Sequence, residues 1–162
     1  MVCFSLGSNL GDRISFLRQA LQMMEVQLGT MLSVSSVYET EPWGVEGHQN
    51  YFNLVAWFDT KLLPEKVLGK TMTIEKELGR IRLKNQMEPR VMDIDMLFYD
   101  DRIINTKSLI IPHPLIKKRN FVVVPLAEIS GGFLHPVLNV TINELVKTCE
   151  DTSFIIKTDI NI

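Results

Sequence analysis

Met92-Asp93-Ile94-Asp95-Met96-Leu97-Phe98 alternates apolar and acidic residues, the period-two pattern of a strand with one face on a core. Read this way, Met92, Ile94, Met96 and Phe98 face inward. Asp93 and Asp95 share the opposite face, with alpha carbons ~6–7 Å apart. Upstream, Val2 to Gly7 reads as a short strand, and a turn at Ser8-Asn9-Leu10-Gly11-Asp12 leads into a helix with Asp12 as N-cap and Ile14, Leu17, Leu21, Met24 and Leu28 at helical spacing. Met31 to Thr40 and Tyr51 to Thr60 are rich in β-branched, hydroxyl and aromatic residues and read as two strands. Pro64 to Leu78 reads as a second helix with Pro in its first turn. Strand, helix, strand, strand, helix and the Asp-x-Asp strand make an α+β fold, a ferredoxin-like sandwich with helices packed on a mainly antiparallel sheet.

Beyond that unit, a turn at Asp100-Asp101 precedes a short return strand at Ile103-Ile104, and Leu109-Ile110-Ile111 leads into Pro112-His113-Pro114. Phe121 to Ile129 supports two readings: Val122-Val123-Val124 suits a strand, and Leu126-Ala127-Glu128-Ile129 suits a helix. Ile142 to Thr148 reads as a short terminal helix. The chain of 162 residues is expected to form one domain, 1–162, able to bury roughly two thirds of its unfolded surface. A formal charge of −2 provides no global basic field, so neither nucleic acid nor an anionic membrane is an expected partner. Met1 to Leu10 carries no cationic leader, and the apolar runs are too short to span a bilayer. Cys3 and Cys149 are too few for a disulfide framework and lie in apolar segments, which points to reduced thiols and a cytoplasmic setting.

The chemistry concentrates around the Asp pair. Arg80-Ile81-Arg82 and Arg90 set three guanidinium groups beside Asp93 and Asp95. Two hard carboxylates suit Mg²⁺, which takes one or two of them together with substrate phosphates and water, and Arg forks match phosphate oxygens. An ordinary solvated strand face paired with arginines is the other reading; the clustering of three Arg favours a polyphosphate site. The turn at residues 7–12 has neither the Gly-Lys-Ser/Thr ending nor the Gly-x-Gly-x-x-Gly spacing of phosphate loops, and it reads as a tight structural turn. No acyl-transfer triad or zinc-like spacing of His48, His113 and His135 is present.

A second constellation lies on the paired strands. Period two places Tyr51 and Asn53 on one face, where an amide beside an aromatic ring reads the edge of a flat heterocycle. Thr40, Trp43 and Phe121 are candidate additions; equally, Asn53 caps an edge strand and Phe121 is core. On the second helix, Leu68, Met72 and Glu75 form a stripe that ends in a carboxylate and that a purine would cover.

Phe4-Ser5-Leu6-Gly7-Ser8-Asn9-Leu10-Gly11-Asp12, Ser35-Ser36-Val37-Tyr38-Glu39-Thr40-Glu41-Pro42, Tyr51-Phe52-Asn53, Ile74-Glu75 through Leu78-Gly79-Arg80-Ile81-Arg82, Pro89 to Asp95, Pro112-His113-Pro114 and Arg119-Asn120-Phe121 together resemble, in order and spacing, the 6-hydroxymethyl-7,8-dihydropterin pyrophosphokinase family. The resemblance runs from the first strand to about Pro136. It implies a folate-pathway enzyme that moves the terminal diphosphate of ATP onto the pterin's hydroxymethyl group, releasing AMP. By matching position, it implies two Mg²⁺ ions on Asp93 and Asp95. It implies a pterin slot from Tyr51, Asn53, Phe121 and the Thr40-Glu41-Pro42-Trp43 backbone. It implies ATP contacts from Glu75, Arg82, Arg90, His113 and Arg119, with Arg80 alongside, and Arg82, Arg90, Asp93 and Asp95 as the catalytic set. Residues 41–50 and 80–91 are expected to close over the reactants, and a monomer is expected to suffice.

The chain departs from the family pattern at Gln86, Met87 and Glu88, where a basic residue, an aromatic and a Gly are usual, and at Ser108, Ile110 and Pro114, which replace an Arg, a Thr and an aromatic. Loss of an Arg and gain of Glu88 lower the positive charge near the triphosphate. Two other classes share parts of the pattern. Nucleotide-sugar transferases with Asp-x-Asp sites need an acceptor cleft that so short a chain hardly accommodates, and a ferredoxin-like RNA-binding module needs aromatics on a basic sheet.

Overall fold

In the computed structural model, which describes residues 1–44, 47, 49–80 and 91–162, the β-α-β-β-α-β unit assembles as expected. β1 (Val2–Ser8), α1 (Arg13–Leu28), β2 (Thr30–Val34), β3 (Tyr38–Thr40), β4 (Tyr51–Asp59), α2 (Pro64–Glu77) and β5 (Asp93–Tyr99) come first. They are followed by a small hairpin of β6 (Ile104–Asn105) and β7 (Ile110–Ile111), then α3 (Asn120–Ser130), α4 (Ile142–Thr148) and β8 (Ile155–Lys157). The main sheet runs β5-β1-β4-β3-β8, with β2 also on β4, and every pairing is antiparallel. This is the split order expected of a ferredoxin-like unit.

Helices cover both faces. α1 and α2 pack on the side formed by Phe4, Leu6, Leu54, Phe58, Ile94 and Met96, and their own Leu17, Met24, Val67 and Ile74 complete that core. Cys3, Val55, Trp57, Leu97 and Phe98 form a second core on the opposite face with Val122, Val123 and Leu126 of α3 and Leu145 of α4. Asp12 caps α1 as the sequence suggests, accepting from the Ser15 N–H at 3.0 Å. The ambiguous segment 121–129 is helix. Val122, Val123 and Leu126 are buried at helical spacing, and this packing against β4 overrides the strand preference of three consecutive valines and the helix-breaking tendency of Pro125. A capping box between Thr141 and Glu144 starts α4.

Three expectations are corrected. The strand expected over residues 31–40 is two strands, because Ser35 breaks the ladder. Its N–H donates to the Val55 carbonyl at 2.9 Å while its hydroxyl accepts from the Val55 N–H at 2.9 Å, so a side chain takes the place of a backbone carbonyl. Phe98 does not share a face with Ile94 and Met96. Cys3 pairs with Phe98 and Phe4 with Met96, which leaves Leu97 as an extra residue. The bulge turns Phe98 into the second core beside Trp57. Finally, β1 runs one residue past the expected end at Gly7, to Ser8, so the turn is shorter than residues 7–12, and its left-handed residue is Gly11, with φ of 62°.

β3, β8 and α3 meet at one polar node. Glu128 of α3 accepts from the Ser36 N–H and hydroxyl, from the Tyr38 hydroxyl at 3.0 Å and from Lys157 Nζ at 2.9 Å. Burial opposes the charge of Glu128, but these donors outweigh it and hold the carboxyl below its ordinary range. A carboxylate with a depressed folded-state pKa stabilises the fold above its unfolded value, about 4.3, and this contribution fades as pH falls through the folded value. Glu128→Gln is therefore expected to lower Tm at pH 7 by roughly 2–4 °C and to make less difference at pH 3, as calorimetric scans across pH would read.

Candidate active site

The register of the sheet assembles the site. Gly7 pairs with Asp93 on one side and Asn53 on the other, and Asn53 pairs in turn with Tyr38. Residues directly opposite one another point the same way, so Asp93, Gly7, Asn53 and Tyr38 form one row on the face that carries α3. Asp95 pairs with Ser5, one step along the same face. Thr40 pairs with Tyr51 at the end of the row.

Each carboxylate has a guanidinium partner. Arg80, just past α2, bonds Glu75 and reaches Asp93 Oδ1 at 2.7 Å. Burial alone lowers the Arg80 pKa, yet Asp93 and Glu75 hold it above its usual value, so Arg80 stays charged. Glu75 is buried and also accepts from the Ile94 N–H at 2.9 Å, which satisfies a ladder donor on the open edge of β5. The stripe of Leu68 and Met72 leads to this buried carboxylate.

Arg119 stands at the start of α3. Its Nη1 donates to Asp95 Oδ2 at 3.0 Å, while its buried Nε finds no partner among the described residues. A ligand oxygen would satisfy that donor. The guanidinium lies 5.1 Å from the Trp43 ring centre and 5.5 Å from that of Phe121, so one cation joins the acidic pair to both aromatic walls.

His113 follows β7, and its N–H donates to the Leu97 carbonyl at 2.9 Å. The bulge that displaces Phe98 thus also docks the His113 segment onto β5. His113 Nδ1 accepts from the Leu115 N–H at 3.2 Å, and Nε2 lies 3.9 Å from Asp95 Oδ2. Burial lowers the His113 pKa despite the pull of Asp95. The neutral ring therefore carries its proton on Nε2, facing the carboxylates.

On the far side of Gly7, Asn53 donates from Nδ2 to Thr40 Oγ1 at 2.7 Å, and both residues are buried. A Cβ on Gly7 would stand 2.5 Å from Asn53 Oδ1. Glycine here permits the amide to lie flat against the sheet, a requirement the sequence reading missed; the signal was a Gly inside a period-two strand. Asn53→Ala is expected to weaken binding of the heterocycle that the family resemblance implies here by about 1–3 kcal/mol, the cost of leaving buried polar groups unpaired, and to leave binding of the ATP it implies near normal. Calorimetric titration with each ligand separates this from a folding defect, in which both affinities fall together.

Thr40, Trp43, Tyr51, Asn53, Asp93, Asp95, His113, Arg119 and Phe121 are thus brought to one face, with Arg80 and Glu75 at its edge; Pro42 is half-buried next to Trp43. Arg82, Arg90, Gln86, Met87, Glu88 and most of the 80–91 connection lie outside the described residues, as do three residues of the 41–50 connection. Among the described residues no three His, Cys, Asp or Glu side chains gather as a metal cage. Two carboxylates on one face fit Mg²⁺ in the way expected when substrate phosphates and water complete the sphere. A cavity of about 260 Å³ lined by Ile103, Ile110, Pro114, His135 and Val137 touches this site only through His113.

The sequence profile of the 7,8-dihydro-6-hydroxymethylpterin-pyrophosphokinase family matches residues 3–131. The chain belongs to this family.

Among its relatives, the 2-amino-4-hydroxy-6-hydroxymethyldihydropteridine pyrophosphokinase of Aquifex aeolicus is 42% identical over 143 residues, covering 88% of each chain. The Porphyromonas gingivalis protein of the same name is 40% identical over 139 residues, covering 84% of this chain and 94% of its own. The Folic acid synthesis protein fol1 of Pneumocystis carinii is 43% identical over 141 residues, and there the chain spans only 19% of the relative's length. The fold is also that of the Plasmodium falciparum HPPK-DHPS crystal structure with pteroate, with a TM-score of 0.75 at 19% identity over 90% of this chain and 41% of that one. Among the described residues no helix is long and apolar enough to cross a membrane.

Proposed function

We propose that this chain transfers the diphosphate of ATP to the hydroxymethyl group of 6-hydroxymethyl-7,8-dihydropterin in folate biosynthesis, giving AMP and the pterin diphosphate. The observation that carries the reading is the row Asp93–Gly7–Asn53. Two inter-strand steps, roughly 10 Å, separate the acidic pair from the buried amide, a span suited to a bicyclic heterocycle whose side arm must reach a phosphate. Thr40, Tyr51, Asn53 and Phe121, with Pro42 and Trp43 at the entrance, form the pterin slot, and Asn53 reads the heterocycle's edge. Glu75, Arg80, His113 and Arg119 border the nucleotide, joined by Arg82 and Arg90.

Asp93 and Asp95 would hold two Mg²⁺ ions, which supply charge neutralisation on the phosphates and on the attacking oxygen. The remaining work is positioning. Arg119 anchors the phosphates through the donor that Asp95 does not use. His113 offers its Nε2 proton to a phosphate oxygen, and Arg80 keeps Asp93 oriented while balancing Glu75. The hydroxymethyl oxygen attacks the β-phosphorus, the bond from that phosphorus to the α–β bridging oxygen breaks, AMP leaves with those electrons, and the hydroxyl proton passes to water. No protein nucleophile is needed for such a transfer.

Treating residues 1–162 as one pyrophosphokinase domain is supported by the single sheet that serves both cores. The unpaired Cys3 and Cys149 support a reducing compartment such as the cytoplasm. Incubation with ATP, Mg²⁺ and the reduced pterin tests the reading: AMP in equal amount to pterin diphosphate is expected. ADP as product, or turnover without pterin, would overturn it.

A further inference from the structure

The chain beyond residue 131, where the family match ends, returns to the site. β8 pairs with β3, placing Ile155 opposite Thr40, the residue that holds Asn53. Just before β8, the Phe154 N–H donates to Glu41 Oε1 at 2.8 Å, and the Phe154 carbonyl accepts from the Glu41 N–H at 3.4 Å. The same segment grips the start of α3. The N-cap residue of that helix, Arg119, makes no side-chain capping bond. Instead Asp151 Oδ2 accepts from the Asn120 N–H at 2.9 Å, and the Asn120 side chain donates to the Ser153 carbonyl at 2.6 Å. Asp151 is itself held by the Ser153 N–H at 3.0 Å and hydroxyl at 2.5 Å. A carboxylate supplied from a distant segment thus caps a helix whose first residues carry Arg119 and Phe121.

We propose that residues 151–155 are a positioning strap that sets the width of the pterin slot by tying its two walls, Thr40 to Trp43 on one side and Arg119 to Phe121 on the other, to one segment, with Asp151 as the residue that locates the second wall. The proposal rests on the reading of this slot as the pterin site. Arg119 on the second wall is also held from the other side by its bond to Asp95 at 3.0 Å, which does not depend on the strap, so loss of the strap falls on the pterin slot more than on the phosphate contacts.

The test measures KM for each substrate, kcat and Tm for the parent chain, Asp151→Ala, Asp151→Asn, Glu41→Ala and Phe154→Ala. Asp151→Ala is expected to raise the pterin KM about five-fold, the factor that corresponds to one lost cap of about 1 kcal/mol, and the ATP KM less than two-fold. Asp151→Asn keeps an acceptor oxygen and should recover part of the loss. Glu41→Ala should shift the pterin KM in the same direction, and Phe154→Ala should shift neither KM, because Phe154 acts through its backbone. If Asp151→Ala does not fold, Glu41→Ala and Asp151→Asn carry the same comparison. Equal rises in both KM values, or a fall in Tm with neither KM changed, would overturn the strap while leaving the reaction in place. A parent chain that forms no AMP would overturn the reading of the slot and the strap with it.

Discussion

Asp95→Asn is expected to lower turnover by roughly three orders of magnitude, equivalent to the several kcal/mol that metal-held charge contributes to such a transition state. The substitution keeps the volume and removes one of the two carboxylates proposed to hold the metal. It also removes the partner of Arg119, whose Nη1 lies 3.0 Å from Asp95 Oδ2, and the carboxylate 3.9 Å from His113 Nε2. These two effects oppose one another for ATP. Without the carboxylate, the Arg119 guanidinium is fully available to phosphate, so affinity for an ATP analogue in the absence of Mg²⁺ should hold or improve while Mg²⁺-dependent turnover collapses. Single-turnover rates with analogue titrations in the presence and absence of Mg²⁺ read both quantities. Turnover within ten-fold of the parent would remove Asp95 from the reacting centre.

Gly7→Ala is expected to weaken pterin binding by roughly 5–150-fold, matching the 1–3 kcal/mol cost of breaking a buried hydrogen bond. The new Cβ would stand 2.5 Å from Asn53 Oδ1, so the amide must move. It is not free to do so cheaply, since its Nδ2 is bonded to buried Thr40 at 2.7 Å. The double variant Gly7→Ala with Asn53→Ala removes the colliding atom and should bind pterin no worse than Asn53→Ala alone. That non-additivity is the mark of two residues acting through one contact. If the losses add, Gly7 acts through the strand as a whole and not through Asn53.

Much of the framework was legible without coordinates, because it depends on periodicities that any window of sequence carries. The α1 stripe of Leu17, Leu21, Met24 and Leu28, the Asp12 cap and the Pro64 start of α2 all formed where local pattern placed them. Asp93 and Asp95 share a face for the same reason: a strand alternates whatever it pairs with.

What the pattern missed was decided between elements. Leu97 is bulged because β1 and β5 lose register between Cys3 and Phe4, a relation between segments more than ninety positions apart in sequence. Local alternation therefore sent Phe98 to the wrong face. Ser35 ends β2 by replacing a carbonyl in the ladder of β4, which no propensity of the 31–40 segment encodes. Residues 121–129 became helix because burial against β4 outweighed the preference of Val122 to Val124 for strand. β8 was not expected at all: Ile155–Lys157 is too short to register as a strand alone and forms because the edge of β3 is there to receive it.

The same division holds for the site. The sequence alone determined which residue types were present, their spacing within each strand and helix, and through the ordered set of motifs the family to which the chain belongs. Tertiary structure alone decided that Asp93 and Asn53 flank Gly7, that Arg119 joins Asp95 to the aromatic walls, and that Asp151 caps a helix thirty-one positions before it. The physical reason is the range of the forces involved: alternation and capping within an element are set by neighbouring residues, whereas register, bulges and remote caps are settled only when separate segments compete to pair their polar groups and bury their apolar ones.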